Sequence, residues 1–130
     1  MHVQSLSTCF VTDKVDQCRD FYTQYFGARP IFDSGWYLTL QFDGGQALSF
    51  IAPQEGMTAF TGAGVMLNVN VADVDAEAAK LESLGLTIAM PLEDHPWGDR
   101  GFAVVDPIGN SVYMYSDRPL SEEFLAFKLD

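Results

Sequence analysis

An internal repeat constrains this chain more than any other feature. Asp13 and Asp73 stand sixty positions apart, each ahead of an amphipathic stretch, and the glycines that close those stretches, Gly27 and Gly85, keep nearly the same offset. An Asp before apolar residues at helical spacing is a helix N-cap signal, and a Gly at the far end is a C-cap signal. The first stripe is Cys18, Phe21, Tyr22 and Tyr25, and the second is Val74, Ala78 and Leu81. Two copies of one supersecondary unit follow from this.

Strand-like segments surround each helix. Thr8 to Thr12 precedes the first, and Ala28 to Phe32, Trp36 to Phe42 and Ala47 to Ala52 follow it, separated by the turn signals Asp33-Ser34-Gly35 and Asp43-Gly44-Gly45. Val65 to Val71 precedes the second helix, and strands near Leu86 to Met90, Phe102 to Val105 and Ser111 to Tyr115 follow it, with Asp106-Pro107-Ile108-Gly109 as the last hairpin turn. The predicted fold class is α+β, with two βαβββ modules forming a cleft. Residues 1–53 make the first module, 54–64 a Gly- and Thr-rich linker, 65–116 the second module and 117–130 a C-terminal extension. In that extension Leu120, Phe124, Leu125 and Phe127 suit a short helix that docks on the domain or on a second subunit.

With 130 residues, 48% of them hydrophobic, the chain suffices for one core and is too short for two independent enzyme domains. No apolar run approaches the ~20 residues of a membrane span, and the N-terminus lacks the basic-then-apolar order of a signal peptide, so a cytoplasmic protein is expected. A net charge of -11 repels phosphate, which argues against nucleic acid and anionic membranes as partners. The same charge draws in a cationic ligand or serves solubility alone, and the two readings carry equal weight. Cys9 and Cys18 have no CxxC spacing and are expected to be buried free thiols without a catalytic role.

Each sheet has its own helix on one face, which leaves the other face for a partner or a ligand. Residues two apart on a strand share a face. Leu67, Val69 and Val71, like Val112 and Met114, suit the helix side, so Met66, Asn68 and Asn70, with Ser111, Tyr113 and Tyr115, are assigned to the open side. The same rule assigns Ala47, Ser49 and Ile51, and Leu6, Thr8 and Phe10, to the open side of the first module. Asn68 and Asn70, if buried there, need hydrogen-bond partners from a polar ligand or water.

The segments FYTQYFG at Phe21 to Gly27, DSGWYLTL at Asp33 to Leu40 and PWGDRGFAVVDPIGNSVYMY at Pro96 to Tyr115 resemble the vicinal oxygen chelate superfamily, which includes glyoxalases, extradiol dioxygenases and bleomycin-resistance proteins. The resemblance runs through both modules in order, and it is specific for fold rather than for chemistry. It implies a homodimer, with exchange of modules between subunits as one arrangement. Metal enzymes of that group place a His or Gln on the first strand of each module and a Glu on the last. The matching positions here are Leu6, Ser49, Met66 and Tyr113, none of them a good ligand for a hard or borderline divalent ion. No metal and no cofactor are therefore expected. His95, near Glu93, Asp94 and Asp99, reads as part of a solvated acidic loop rather than a metal site, and Arg100 as a partner of nearby acids.

Bleomycin-resistance proteins also lack the metal set, and their resemblance implies that Trp36 and Trp97 take part in sandwiching a flat ring. For Trp36 a core role stands level with the ligand role, whereas Trp97, between Pro96 and Gly98, favours the ligand role. Tyr113 suits packing or hydrogen bonding better than acid catalysis. The expected function is metal-independent binding of a small organic molecule, planar or cationic and antibiotic-like, through Trp36, Trp97, Ser49, Met66, Asn68 and Tyr113, with no catalytic residue assigned. The alternatives are a metal-dependent lyase or dioxygenase of the same superfamily with atypical ligands, and a purely structural interaction module.

Overall fold

The computed structural model describes all 130 residues, Met1–Asp130, as two compact units. The first comprises Met1–Gly62 and Asp106–Gly109, and the second Ala63–Val105 and Asn110–Asp130. Each contains one four-stranded mixed sheet and one principal helix, so the fold is α+β and the βαβββ unit occurs twice.

In the first unit the order is β1 (Thr8–Val11), α1 (Val15–Phe26), β2 (Arg29–Asp33), β3 (Tyr37–Gln41) and β4 (Ala47–Ile51). The strands lie side by side as β1-β4-β3-β2, with β1 parallel to β4 and the remaining pairs antiparallel. Helix α1 closes at Gly27, which takes the left-handed conformation (φ 65°) that a side chain would disfavour. Its buried residues Val15, Cys18, Phe21 and Tyr22 meet Leu38, Leu40 and Phe50 of the sheet, with Tyr22 and Phe50 stacked at 5.9 Å. Tyr22 is buried and donates its hydroxyl hydrogen to Asp106 Oδ2 at 2.6 Å. Burial, followed by the charge of Asp106, pushes the Tyr22 phenol far above its ordinary range.

The second unit runs β5 (Met66–Asn70), α2 (Val74–Ser83), β6 (Met90–His95), β7 (Asp99–Val105), β8 (Ser111–Asp117) and a short α3 (Glu122–Leu125), in the strand order β5-β8-β7-β6. Asp73 caps α2 by accepting the Ala76 N–H at 3.1 Å. Ser116 ties the helix start to the sheet, accepting from Val74 N–H and donating to the Val71 carbonyl. Val74, Ala78 and Leu81 are buried, as are Phe102, Val104, Val112 and Met114 on the sheet. Each of the larger side chains among these, Ala78 excepted, contributes roughly 1.5–3 kcal/mol by leaving water. No helix is long and apolar enough to cross a membrane.

Several expectations require correction. Asp13 does not cap α1: the N-cap is Lys14, without a side-chain cap, and the Lys14 N–H is taken by the buried Thr12 hydroxyl at 3.0 Å. The segment Leu86 to Met90 is not a strand. Leu86 bonds back to the Leu81 carbonyl at the helix end, and the strand starts at Met90 and passes through Pro91. Proline is tolerated there because β6 is an edge strand with an irregularity between Met90 and Glu93. On β1 the faces are reversed. Phe10 is buried against Phe50 and Phe60, while Cys9 and Val11 pair with Ser49 and Ile51 on the open face, and Leu6 lies exposed ahead of the strand. Cys9 is accordingly exposed rather than buried; Cys18 is buried as expected. Phe60, in the segment expected to link the modules, donates its backbone N–H to the Val11 carbonyl.

Candidate functional site

Register fixes the open face of the second sheet. Met66, Asn68 and Asn70 of β5 pair with Ser111, Tyr113 and Tyr115 of β8, which pair in turn with Val105, Ala103 and Gly101 of β7. Asn68 and Asn70 are exposed rather than buried, and Asn70 donates to Asp117 at 3.2 Å. Met66 is also exposed, whereas Tyr113 is buried with its ring stacked on Tyr115 at 5.8 Å.

What holds Tyr113 is a residue pair that sequence reading set aside. The expected acidic loop around His95 is a β-hairpin: His95 and Asp99 face each other across β6 and β7, and only Pro96, Trp97 and Gly98 turn the chain. Gly98 donates to the His95 carbonyl and adopts φ 102°, the left-handed position that a three-residue hairpin turn requires. Asp99 points inward and is 7% exposed. Its Oδ1 accepts from the Tyr113 hydroxyl at 2.8 Å and lies 2.8 Å from His95 Nδ1, while its Oδ2 accepts from Trp97 Nε1 at 2.9 Å. A buried carboxylate costs several kcal/mol unless hydrogen-bonded, and these donors offset that cost.

The same hairpin displays Trp97. One face of the indole lies parallel to the His95 ring, with centroids 4.4 Å apart and planes within 3°, yet the residue is still 47% exposed. Burial, followed by the hydrogen bond to Asp99, raises the Tyr113 phenol well above its ordinary range, so Tyr113 keeps its proton and acts as a donor. Gly101 is required beside it, because a Cβ there would collide with the Tyr113 ring and hydroxyl. As expected, Arg100 pairs with acids, Asp75 at 3.0 Å and Asp94 at 3.6 Å.

On the first sheet the open face carries Cys9, Val11, Ser49 and Ile51, with Thr39 and Tyr37 opposite β4. Ser49 is buried and shares a 3.1 Å hydrogen bond with Thr39. Trp36 stands at the head of β3, 52% exposed and edge-on to Tyr37. The turn before it is braced. Asp33 accepts from Gly35 N–H and from the Arg19 guanidinium of α1, and these contacts, the Gly35 bond first, hold its carboxyl below the usual range.

The positions at which the resemblance would put a metal do not suit one. Ser49 is committed to Thr39, Tyr113 to Asp99, Met66 offers a thioether and Leu6 is aliphatic. No group of three or more His, Cys, Asp or Glu side chains is placed to hold a metal ion.

Solved structures share this architecture. The antibiotic-binding protein TnmS3 from Streptomyces sp. CB03234 is 26% identical, with a TM-score of 0.69 over 90% of this chain and 96% of that one. A glyoxalase/bleomycin resistance protein/dioxygenase from Nocardioides aligns at TM-score 0.76 and 19% identity, over 91% of this chain and 86% of that one. A lactoylglutathione lyase from Agrobacterium tumefaciens aligns at 0.71 and 22%, over 88% and 95%. Among curated sequences, uncharacterized proteins of Mycobacterium bovis and Mycobacterium tuberculosis are 40% identical over 53 residues, 41% of this chain. That match spans about a third of their length, 35% and 31% respectively. The family model of the Glyoxalase/Bleomycin resistance protein/Dioxygenase superfamily matches residues 2–114, and this chain belongs to that superfamily.

Proposed function

We propose that this protein binds a small planar organic molecule, antibiotic-like in character, without a metal ion, and that Trp97 is the principal stacking surface. The carrying observation is the half-exposed indole locked by Asp99 and His95: a flat aromatic face, immobilised before any ligand arrives, loses little entropy on binding. Trp36, on its braced turn, is a second such surface; the exposed Asn68 and Met66 offer hydrogen bonding and apolar contact from the open face of the second sheet, with Tyr113 packed beside them, and Ser49 lies on the open face of the first sheet. The likeness to TnmS3 supports this reading, as does the unsuitability of the metal positions. A homodimer in the cytoplasm is the setting we assign to it.

Titrating a panel of planar cationic antibiotics at low salt, with tryptophan emission as the readout, tests the proposal. Saturable quenching is expected in the parent protein, weakened about tenfold or more in Trp97→Ala, as for a central aromatic anchor. Absence of saturable quenching across the panel, or full affinity in Trp97→Ala, would overturn it.

A further inference from the structure

The surroundings of Trp97 bear on the charge of its ligand. One indole face is covered by His95, and Trp97 is 47% exposed with no other aromatic neighbour, so a ligand would stack on the outer face, the one away from His95. The indole N–H donates to Asp99, a carboxylate 7% exposed and therefore poorly screened by water. A hydrogen bond to a buried anion polarises the donor ring and pushes electron density into the π system, whose faces already carry the negative end of the quadrupole. The nearby guanidinium groups are engaged elsewhere. Arg100 is engaged by Asp75 and Asp94, and Arg118 lies 4.0 Å from Asp94.

We infer that the outer face of Trp97 selects planar cations over neutral rings of the same shape, and that Asp99 behind the indole sets this preference. The inference rests on the reading of Trp97 as a ligand surface and adds to it the ligand's charge. Asp99 acts through the indole and touches no ligand, so it is a positioning residue for specificity.

A matched probe pair isolates the effect: N-methylquinolinium and quinoline, which share a ring system and differ in charge at neutral pH. Each is titrated into 15N-labelled protein while the indole N–H cross-peak of Trp97, identified by its loss in Trp97→Phe, is followed. About 0.3 M salt screens the overall charge of -11. The expected preference for N-methylquinolinium is about threefold, the exposed-site end of cation–π attraction. Asp99→Asn, which also weakens the lock on the indole, is expected to lower the affinity for both probes and to bring their ratio close to unity. Equal binding of the two probes, or an undiminished preference in folded Asp99→Asn, would overturn charge selection and leave the stacking surface standing. Failure of both probes to move the cross-peak would overturn both claims. If Asp99→Asn does not fold, Tyr113→Phe serves instead, since removing a competing donor leaves more of the carboxylate's charge on the indole. The preference then rises, and a fall would overturn the inference.

Discussion

Tyr113 donates its phenolic hydrogen to Asp99 Oδ1 at 2.8 Å, and Gly101, two residues from Asp99 on the same strand, leaves room for the ring to do so. The carboxylate thus gathers Tyr113, Trp97 and His95 into one unit, and a change at any of them reaches the others.

Gly101→Ala tests that unit without removing a polar group. The added methyl falls on the Tyr113 ring and hydroxyl, and also crowds the Met114 carbonyl, so the ring must shift away from Asp99. Overpacking of this kind costs roughly 1–3 kcal/mol. The urea midpoint should fall accordingly, and the Trp97 indole cross-peak should move although residue 101 does not touch Trp97. An unmoved cross-peak would show that the hairpin and Tyr113 are independent.

Alkaline titration should expose the first unit's core. Cys18, buried beside Asp106, is pushed up from 9.0 to about 12, and Tyr22 is raised well above 10.0, burial being the largest cause for both. Above pH 9 the unfolded chain releases protons that the folded chain retains, so the unfolded state gains and stability falls as pH rises. The contribution is complete below about pH 9 and declines from there upward. Urea midpoints measured between pH 8 and 11 should show this, with a shallower decline above pH 10 in Tyr22→Phe. An identical slope in that variant would remove Tyr22 from the account.

The repeat was legible because capping and apolar periodicity are local signals, and Gly27, Asp73 and the stripe through Val74, Ala78 and Leu81 act locally. The hairpin was less legible. His95 and Asp99, four apart around Pro-Trp-Gly, carry the spacing of residues that face each other across a three-residue turn, but their acidic neighbours and Pro91 resemble a loop. The faces of β1 were misassigned for a similar reason. Thr8, Cys9, Phe10 and Val11 alternate too weakly in polarity to reveal a face, and pairing with β4 decides it. His95 and Trp97 reach Asp99 within the hairpin, but Tyr113 comes from β8, and no local pattern brings it there.

Arg19→Ala should loosen Trp36 without unfolding the protein. Arg19 joins α1 to the turn through Asp33, their side chains 24% and 31% exposed, and ion pairs at the surface add little to global stability. The melting temperature should change hardly at all, whereas relaxation of the Trp36 indole N–H should report faster motion. Asp33→Asn, which can keep the bond from Gly35 while losing the ion pair, should show a smaller effect. Rigid Trp36 in Arg19→Ala would place the brace elsewhere.

Metal challenge addresses the chemistry of the site most directly. A divalent ion bound to the native state at a hundred times its dissociation constant would add about 2.7 kcal/mol of stability, easily read as a shift in the urea midpoint. At the positions where metal-dependent relatives hold their ion, this chain offers the Ser49 hydroxyl shared with Thr39, the Met66 thioether and a Tyr113 phenol that burial and Asp99 keep protonated. A protonated phenol would have to lose its hydrogen, and its bond to Asp99, before it could ligate. Zinc, nickel or manganese at micromolar excess should therefore leave the midpoint unchanged, and so should dialysis against EDTA of protein purified without chelator. A midpoint that rises with one of these ions, or stoichiometric metal in the purified protein, would turn the reading from binding toward metal-dependent catalysis.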